Sequence, residues 1–199
     1  MLFRWFPLAL LAVALTLSGF HRSRARIGSE TISRTRESGA FMAMRALVAL
    51  PTLLAIIAGA VSPDLMAWST FALPDWARWL GVVLGLACVP GAHWVLSSLG
   101  KNVSETVLTK KDHALVTHGP YRWVRHPLYT TGITLFVALG LMQASWLLLL
   151  LALVGFVLIL SVVIPAEERA LTEKFGDGYR RYMKGTGRVL PRSVVGSGD

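Results

Sequence analysis

The sequence predicts an all-α membrane protein with about five transmembrane helices, a C-terminal helical hairpin and a cytoplasmic interfacial helix. Three observations lead there. Of 199 residues, 54% are hydrophobic and only 16% charged, which leaves too little polar surface for a water-soluble domain of this size. The apolar residues gather in five runs. Lys and Arg sort into alternate connecting segments, as orientation in a bilayer requires.

The runs are Phe6 to Phe20, Ala46 to Val61, Trp79 to Leu99, Leu128 to Met142 and Trp146 to Ile164. Each is a candidate to cross a hydrocarbon layer of about 30 Å. Arg4 ahead of the first run resembles the start of a signal peptide, but "LTLSGF" offers no small-x-small cleavage site, so the run is expected to be retained. The following segment holds Arg22, Arg24, Arg26, Arg34, Arg36 and Arg45, whereas Ser62 to Asp75 holds no Lys or Arg. Lys101, Lys110, Lys111, Arg122 and Arg125 lie between the third and fourth runs, and the chain is basic again beyond Ile164. The positive-inside rule puts the N-terminus outside and the three basic regions and the C-terminus in the cytoplasm, in the inner membrane if the cell is bacterial.

The net charge of +9 is thus spread over loops that fix orientation and meet anionic lipid headgroups, and nucleic acid is not an expected partner. Arg45 and Arg78 lie near span ends, where a long side chain reaches the interface. His93, a lone imidazole in an apolar helix, reads as a packed interhelical donor. Cys88 is the only cysteine, which excludes an internal disulfide and a thiolate cluster, and no metal site is expected. Residues 1–100 form the N-terminal transmembrane helices and basic loop, residues 101–192 a core of loop, hairpin and amphipathic helix, and residues 193–199 a disordered tail.

The fourth run is short, since fifteen residues rise about 22 Å. "MQAS" then turns the chain and the fifth run returns, so "VRHPLY" before the pair and "PAEERAL" after it come to one side of the membrane. Pro127 suits the first turn of a helix, which places Arg125 and His126 around its N-cap, where free N–H groups and the helix dipole attract an anion. Arg125 adds the option of a bidentate clamp on a carboxylate or phosphate. Glu167 and Glu168 follow Pro165 at the start of another expected helix, whose Ala170, Leu171, Phe175, Tyr179 and Tyr182 form a partly apolar stripe. Arg180, Arg181, Lys184 and Arg188 would face headgroups. Each residue alone suits a cap or a membrane anchor. Together they bring anion- and cation-binding groups to one hairpin mouth, and S-adenosyl-L-methionine carries a carboxylate, an ammonium, a ribose diol and a sulfonium that match both.

"HALVTHGPYRWVRHPLYTTG", two hydrophobic helices and "EERALTEKFGDGYRRYMKGTGRVLP" together resemble the isoprenylcysteine carboxyl methyltransferase family and its bacterial relatives, over roughly Asn102 to Pro191. The resemblance implies a membrane-embedded methyltransferase without a Rossmann domain, with S-adenosyl-L-methionine as cofactor. It also implies cofactor contacts at His113, Ala114, Leu115 and Val116, at Tyr121, at His126, Pro127, Leu128 and Tyr129, and at Glu167; Arg125 and Glu168 are adjacent motif members. Where the eukaryotic enzymes place an arginine four residues before the first glutamate, this chain has Val163, which argues against a prenylcysteine carboxylate as substrate.

The reaction so implied is an in-line displacement at the sulfonium methyl, aided by positioning, onto a lipidic or small apolar acceptor. A carboxylate acceptor needs no general base, whereas an amine or thiol must lose a proton. No catalytic residue is assigned; His118, His126 and Glu168 are candidate bases by proximity. Other readings on the same scaffold are a phospholipid N-methyltransferase, a small-thiol S-methyltransferase, an NADPH-dependent membrane reductase and a non-catalytic scaffold.

Overall fold

The computed structural model describes residues 2–26, 39–100 and 114–192. His113 and residues 193–199, on which two of the expectations above fall, lie outside the described residues. The described chain is helical, with two isolated bridges and no strand. Its elements are α1 (Leu2–Arg26), α2 (Gly39–Val61), a single turn α3 (Pro63–Met66), α4 (Asp75–Leu99), α5 (Pro127–Gln143), α6 (Trp146–Leu158), α7 (Ile164–Phe175) and α8 (Asp177–Gly185).

Among the described residues, four helices are long and apolar enough to cross a membrane: Phe3–Ala25, Met42–Val61, Asp75–Leu99 and Trp146–Phe175. The fifth apolar helix, Pro127–Gln143, has 17 residues and rises about 25 Å. It begins at Pro127, with Pro at the first helical position and His126 as N-cap, as the missing N–H of proline allows. At its far end Ala144 turns left-handed (φ 48°), and Ser145 caps α6 by accepting from the Leu148 N–H.

The bundle core lies where α1, α2, α4, α5 and α6 meet, around Leu10, Ile56, Val82, Leu139, Met142 and Leu148, all buried. Contact is most extensive between α4 and α5. Gly81 makes it possible, since a side-chain carbon there would lie 2.8 Å from the Ala138 carbonyl oxygen. Outward positions such as Leu47, Leu54, Val83, Leu153 and Val157 remain exposed and apolar, the surface that lipid covers.

Three expectations are corrected here. Pro165 does not open a new helix: α6, a π-helical turn (Ile159–Val163) and α7 form one helix of 30 residues, Trp146–Phe175. Proline cannot donate to the carbonyl four residues back and crowds it, and the wider turn just upstream, in which the Ile164 N–H bonds the Ile159 carbonyl, accommodates both effects. The expected single amphipathic helix after Pro165 is instead the end of this long helix followed by the separate α8, with the chain turning at Gly176. Arg78 also turns inward rather than to the interface, donating from Nε to the Met142 carbonyl at 3.1 Å and lying 4.1 Å over the Phe3 ring. His93 has its interhelical partner: its Nδ1 is 3.2 Å from His21 Nε2.

Candidate functional site

The site forms where α5 begins and α7 continues the returning helix. His126, 4% exposed, lies between both glutamates, with Nε2 3.3 Å from Glu168 Oε1 and Nδ1 3.6 Å from Glu167 Oε2. Burial alone would lower the His126 pKa, but hydrogen bonds and charges from Glu167 and Glu168 outweigh it and raise the pKa above the usual imidazole value. His126 also stacks on Tyr129, with ring centroids 5.8 Å apart.

Behind it, Glu168 collects the cations. Its Oε1 accepts from Arg125 Nε at 3.0 Å and Nη2 at 2.9 Å, and its Oε2 accepts from Arg188 Nη2 at 2.8 Å. Arg125 also donates from Nη1 to the Met183 carbonyl at 3.0 Å and to the Thr186 carbonyl, near the end of α8, where a cation suits the helix dipole. The bidentate clamp that the sequence offers to a ligand is therefore closed inside the protein. Arg188, expected among headgroups, is part of this network.

The segment after α8 straps the turn before α5. The Arg125 and His126 N–H groups donate to the Gly187 and Arg188 carbonyls at 2.8 and 3.0 Å, and Thr130 Oγ1 donates to the Val189 carbonyl at 2.8 Å. Tyr121, in a 3-10 turn (Gly119–Arg122), is held by Tyr182, whose hydroxyl donates to the Tyr121 carbonyl at 2.5 Å. Burial pushes the Tyr121 and Tyr179 hydroxyls well above the usual phenol range and Tyr182 up to about 12, so all three stay protonated.

These groups open onto a cavity of about 660 Å³, in the size range of small-ligand sites. Of the predicted residues, Leu115, Val116, Tyr121, Arg125, His126, Leu128, Tyr129 and Glu167 line it. Ala114, Pro127 and Glu168 do not: Pro127 starts the helix and Glu168 braces the arginines from behind. Two lining groups, Glu167 Oε2, whose contact with His126 Nδ1 is a long 3.6 Å, and Tyr179 Oη, are buried without a hydrogen bond of normal length. Such atoms are rare in folded proteins, and each has acceptor or donor capacity left for a water, an ion or a ligand.

Sequence reasoning did not find much of the remaining lining. Arg22 of α1, Met42, Met44, Arg45 and Val48 of α2, and Leu158 and Ile159 before Pro165 are part of the walls. No local pattern marks them, although a positively charged residue so close to an apolar run as Arg45 is a weak signal. His118, a candidate base, is exposed and does not line the cavity.

The architecture is that of an integral membrane protein of all-helical build, with a largely apolar pocket that carries a few polar groups at one mouth of a helical hairpin. The chain belongs to the phospholipid methyltransferase family, whose profile matches residues 76–178. Among curated relatives, it is 38% identical over 74 residues to methanethiol S-methyltransferase of Mycobacterium tuberculosis, covering 37% of this chain and 29% of that one. It is 33% identical over 94 residues to protein-S-isoprenylcysteine O-methyltransferase of Schizosaccharomyces pombe, covering 46% of this chain and 40% of that one. These matches therefore span less than half of either relative. A solved structure of a eukaryotic intramembrane Ras methyltransferase, isoprenylcysteine carboxyl methyltransferase, superposes with a TM-score of 0.57 at 18% identity, over 93% of this chain and 67% of that one. The shared fold is thus an isoprenylcysteine-methyltransferase-like one.

Proposed function

We propose that the protein is an S-adenosyl-L-methionine-dependent methyltransferase that methylates a carboxylate on a lipidic or small apolar acceptor. The observation that supports it most is Glu167 Oε2, buried in the cavity wall without a hydrogen bond of normal length and beside His126. Its acceptor capacity suits the ammonium or ribose hydroxyls of the cofactor, and Tyr121, His126 and Tyr129 would complete the polar lining. When bound, the cofactor supplies an electrophilic sulfonium methyl.

The state of the chain's own groups favours an acceptor that arrives already ionised. Glu168 is engaged by Arg125 and Arg188, His126 is held toward its protonated form, and the tyrosines keep their protons. None of these is a ready base for an amine or thiol, whereas a carboxylate near pH 7 needs none. The residues therefore act by binding, orientation and exclusion of water. A thiol acceptor is the second reading, favoured by the relative named methanethiol S-methyltransferase.

Among the described residues, the strap, the hairpin mouth and most Arg and Lys lie at one end of the bundle, while Asp64 and Asp75, with Arg4 and Arg78, lie at the other. This distribution supports a cytoplasmic site and C-terminus, with the N-terminus outside. The deciding experiment incubates purified protein in lipid with radiolabelled methyl donor and a native membrane extract. A base-labile, lipid-partitioning product is expected; a base-stable one would exclude ester formation. Glu167→Gln should weaken S-adenosylhomocysteine binding about ten-fold through loss of a charge-assisted bond, and unchanged binding would reject the role given to Glu167.

A further inference from the structure

Tyr179 is 1% exposed, one of the most deeply buried large side chains, yet it lines the cavity and its Oη has no hydrogen-bond partner among the described residues. The hydroxyl of Tyr182, one turn further along α8, is by contrast engaged, donating to the Tyr121 carbonyl. A phenylalanine would fill the space of Tyr179 equally well and would bury no polar oxygen, so packing does not account for the hydroxyl. Nor can the side chain swing away to water, because α8 is held by the Tyr182 bond and by Arg125, which donates to the Met183 carbonyl at 3.0 Å.

Burial first, and the charge of Glu168 after it, keep the Tyr179 phenol protonated, so it faces the cavity as a donor. Glu168, Arg125 and Glu167 all act electrostatically on it, which puts it on the polar side of the cavity. Glu168 is neutralised there by Arg125 and Arg188, so an anion beside Tyr179 meets no unmatched charge from that carboxylate. Glu167 Oε2, the other buried atom short of a hydrogen bond, is an acceptor. A donor and an acceptor left open in one cavity suit a ligand with an anionic and a cationic group close together. An α-amino-acid end, with ammonium and carboxylate on one carbon, is such a ligand.

Resting on the methyltransferase reading above, we infer that Tyr179 is a cofactor-binding residue whose hydroxyl donates to the carboxylate of the cofactor's amino-acid end, with Glu167 taking the ammonium. The ring of Tyr179 belongs to the apolar stripe and its oxygen to the ligand. A hydroxyl bonded to a carboxylate in a buried setting makes a stronger bond than one between neutral groups. The site therefore reads the amino-acid end as well as the nucleoside, and nucleosides that lack that end are selected against.

The test measures equilibrium binding to the full chain in phosphatidylcholine nanodiscs, with empty nanodiscs as blank. Three probes are used: S-adenosylhomocysteine, its decarboxylated analogue, which keeps the amine, and its deaminated analogue, which keeps the carboxylate. The wild type should bind the parent more tightly than either analogue. Tyr179→Phe should weaken the parent and the deaminated analogue about ten-fold and leave the decarboxylated analogue unmoved, which also verifies that the variant is folded. Glu167→Gln should give the reverse pattern, with the deaminated analogue unmoved. Parent affinity unmoved by Tyr179→Phe, as when only a water meets the hydroxyl, or equal losses for the parent and the decarboxylated analogue, would overturn the inference. Should Tyr179→Phe fail to fold, a wild type that binds the decarboxylated analogue as tightly as the parent overturns it without the variant. A wild type that binds no S-adenosylhomocysteine would overturn the cofactor reading itself, and this assignment with it.

Discussion

Arg125 and Glu168 form a two-point ion pair, with Nε and Nη2 both donating to Oε1 at 3.0 and 2.9 Å, across the mouth of the α5–α6 hairpin. Both side chains are 10% exposed, and the same carboxylate also receives Arg188. This pair ties the start of one helix to the continuation of the other and sets where His126 and Glu167 stand.

Removal of that charge leaves a buried guanidinium unmatched. Glu168→Gln is expected to destabilise the protein by roughly 3 kcal/mol, the low end for breaking a buried pair. Glu167→Gln, at a more exposed carboxylate whose Oε2 lies 3.6 Å from His126 Nδ1, should change stability less. Thermal unfolding in detergent distinguishes the two, and equal melting temperatures would contradict the division of roles.

The pH dependence follows from His126. Its folded pKa is raised above 6.5, opposed first by burial and carried by hydrogen bonds to Glu167 and Glu168. The protonated form thus adds stability fully below the unfolded pKa near 6.5, and this is lost as pH rises through the higher folded value. Melting temperature should fall over that alkaline window in the wild type and fall less in His126→Gln. A wild-type profile that is flat there would refute it.

Gly187 allows the strap to turn tightly, since a side-chain carbon would lie 1.8 Å from the Leu190 carbonyl oxygen and 2.8 Å from the Arg192 nitrogen. Gly187→Ala should displace the strap, cost about 1–3 kcal/mol by overpacking and reduce S-adenosylhomocysteine binding. Gly185→Ala, whose new carbon meets nothing within 4 Å, is the control. Limited proteolysis should cut after α8 faster in the first variant only.

Gly155 faces Val48 across the α2–α6 approach. Gly155→Leu should press on Val48 and narrow the apolar side of the cavity, reducing methylation of long-chain acceptors while leaving S-adenosylhomocysteine affinity nearer wild type. Equal turnover of long and short acceptors by this variant, as compared with the wild type, would count against an acceptor tail in that place.

The spans, the hairpin turn and the helix start at Pro127 were legible in the sequence because each depends on local rules: apolar length, a turn before Ser145, and a proline that tolerates only the first helical turn. The meeting of "VRHPLY" with "PAEERAL" was legible too, since a hairpin must return its ends to one side. The break expected at Pro165 was misread, because a helix sheltered by its neighbours and by lipid absorbs a proline with one π turn instead of ending.

Composition and local spacing were enough to specify a membrane-spanning helical protein and the two charged segments that meet at its site. Which charge serves which partner emerged from the packing of the helices: Arg125 and Arg188 close on Glu168, and Arg22 and Arg45 line the cavity from the N-terminal helices. The difference is one of range. Helix length and caps follow from neighbouring residues, whereas the pairing of long charged side chains depends on how the helices pack, and no local spacing encodes that.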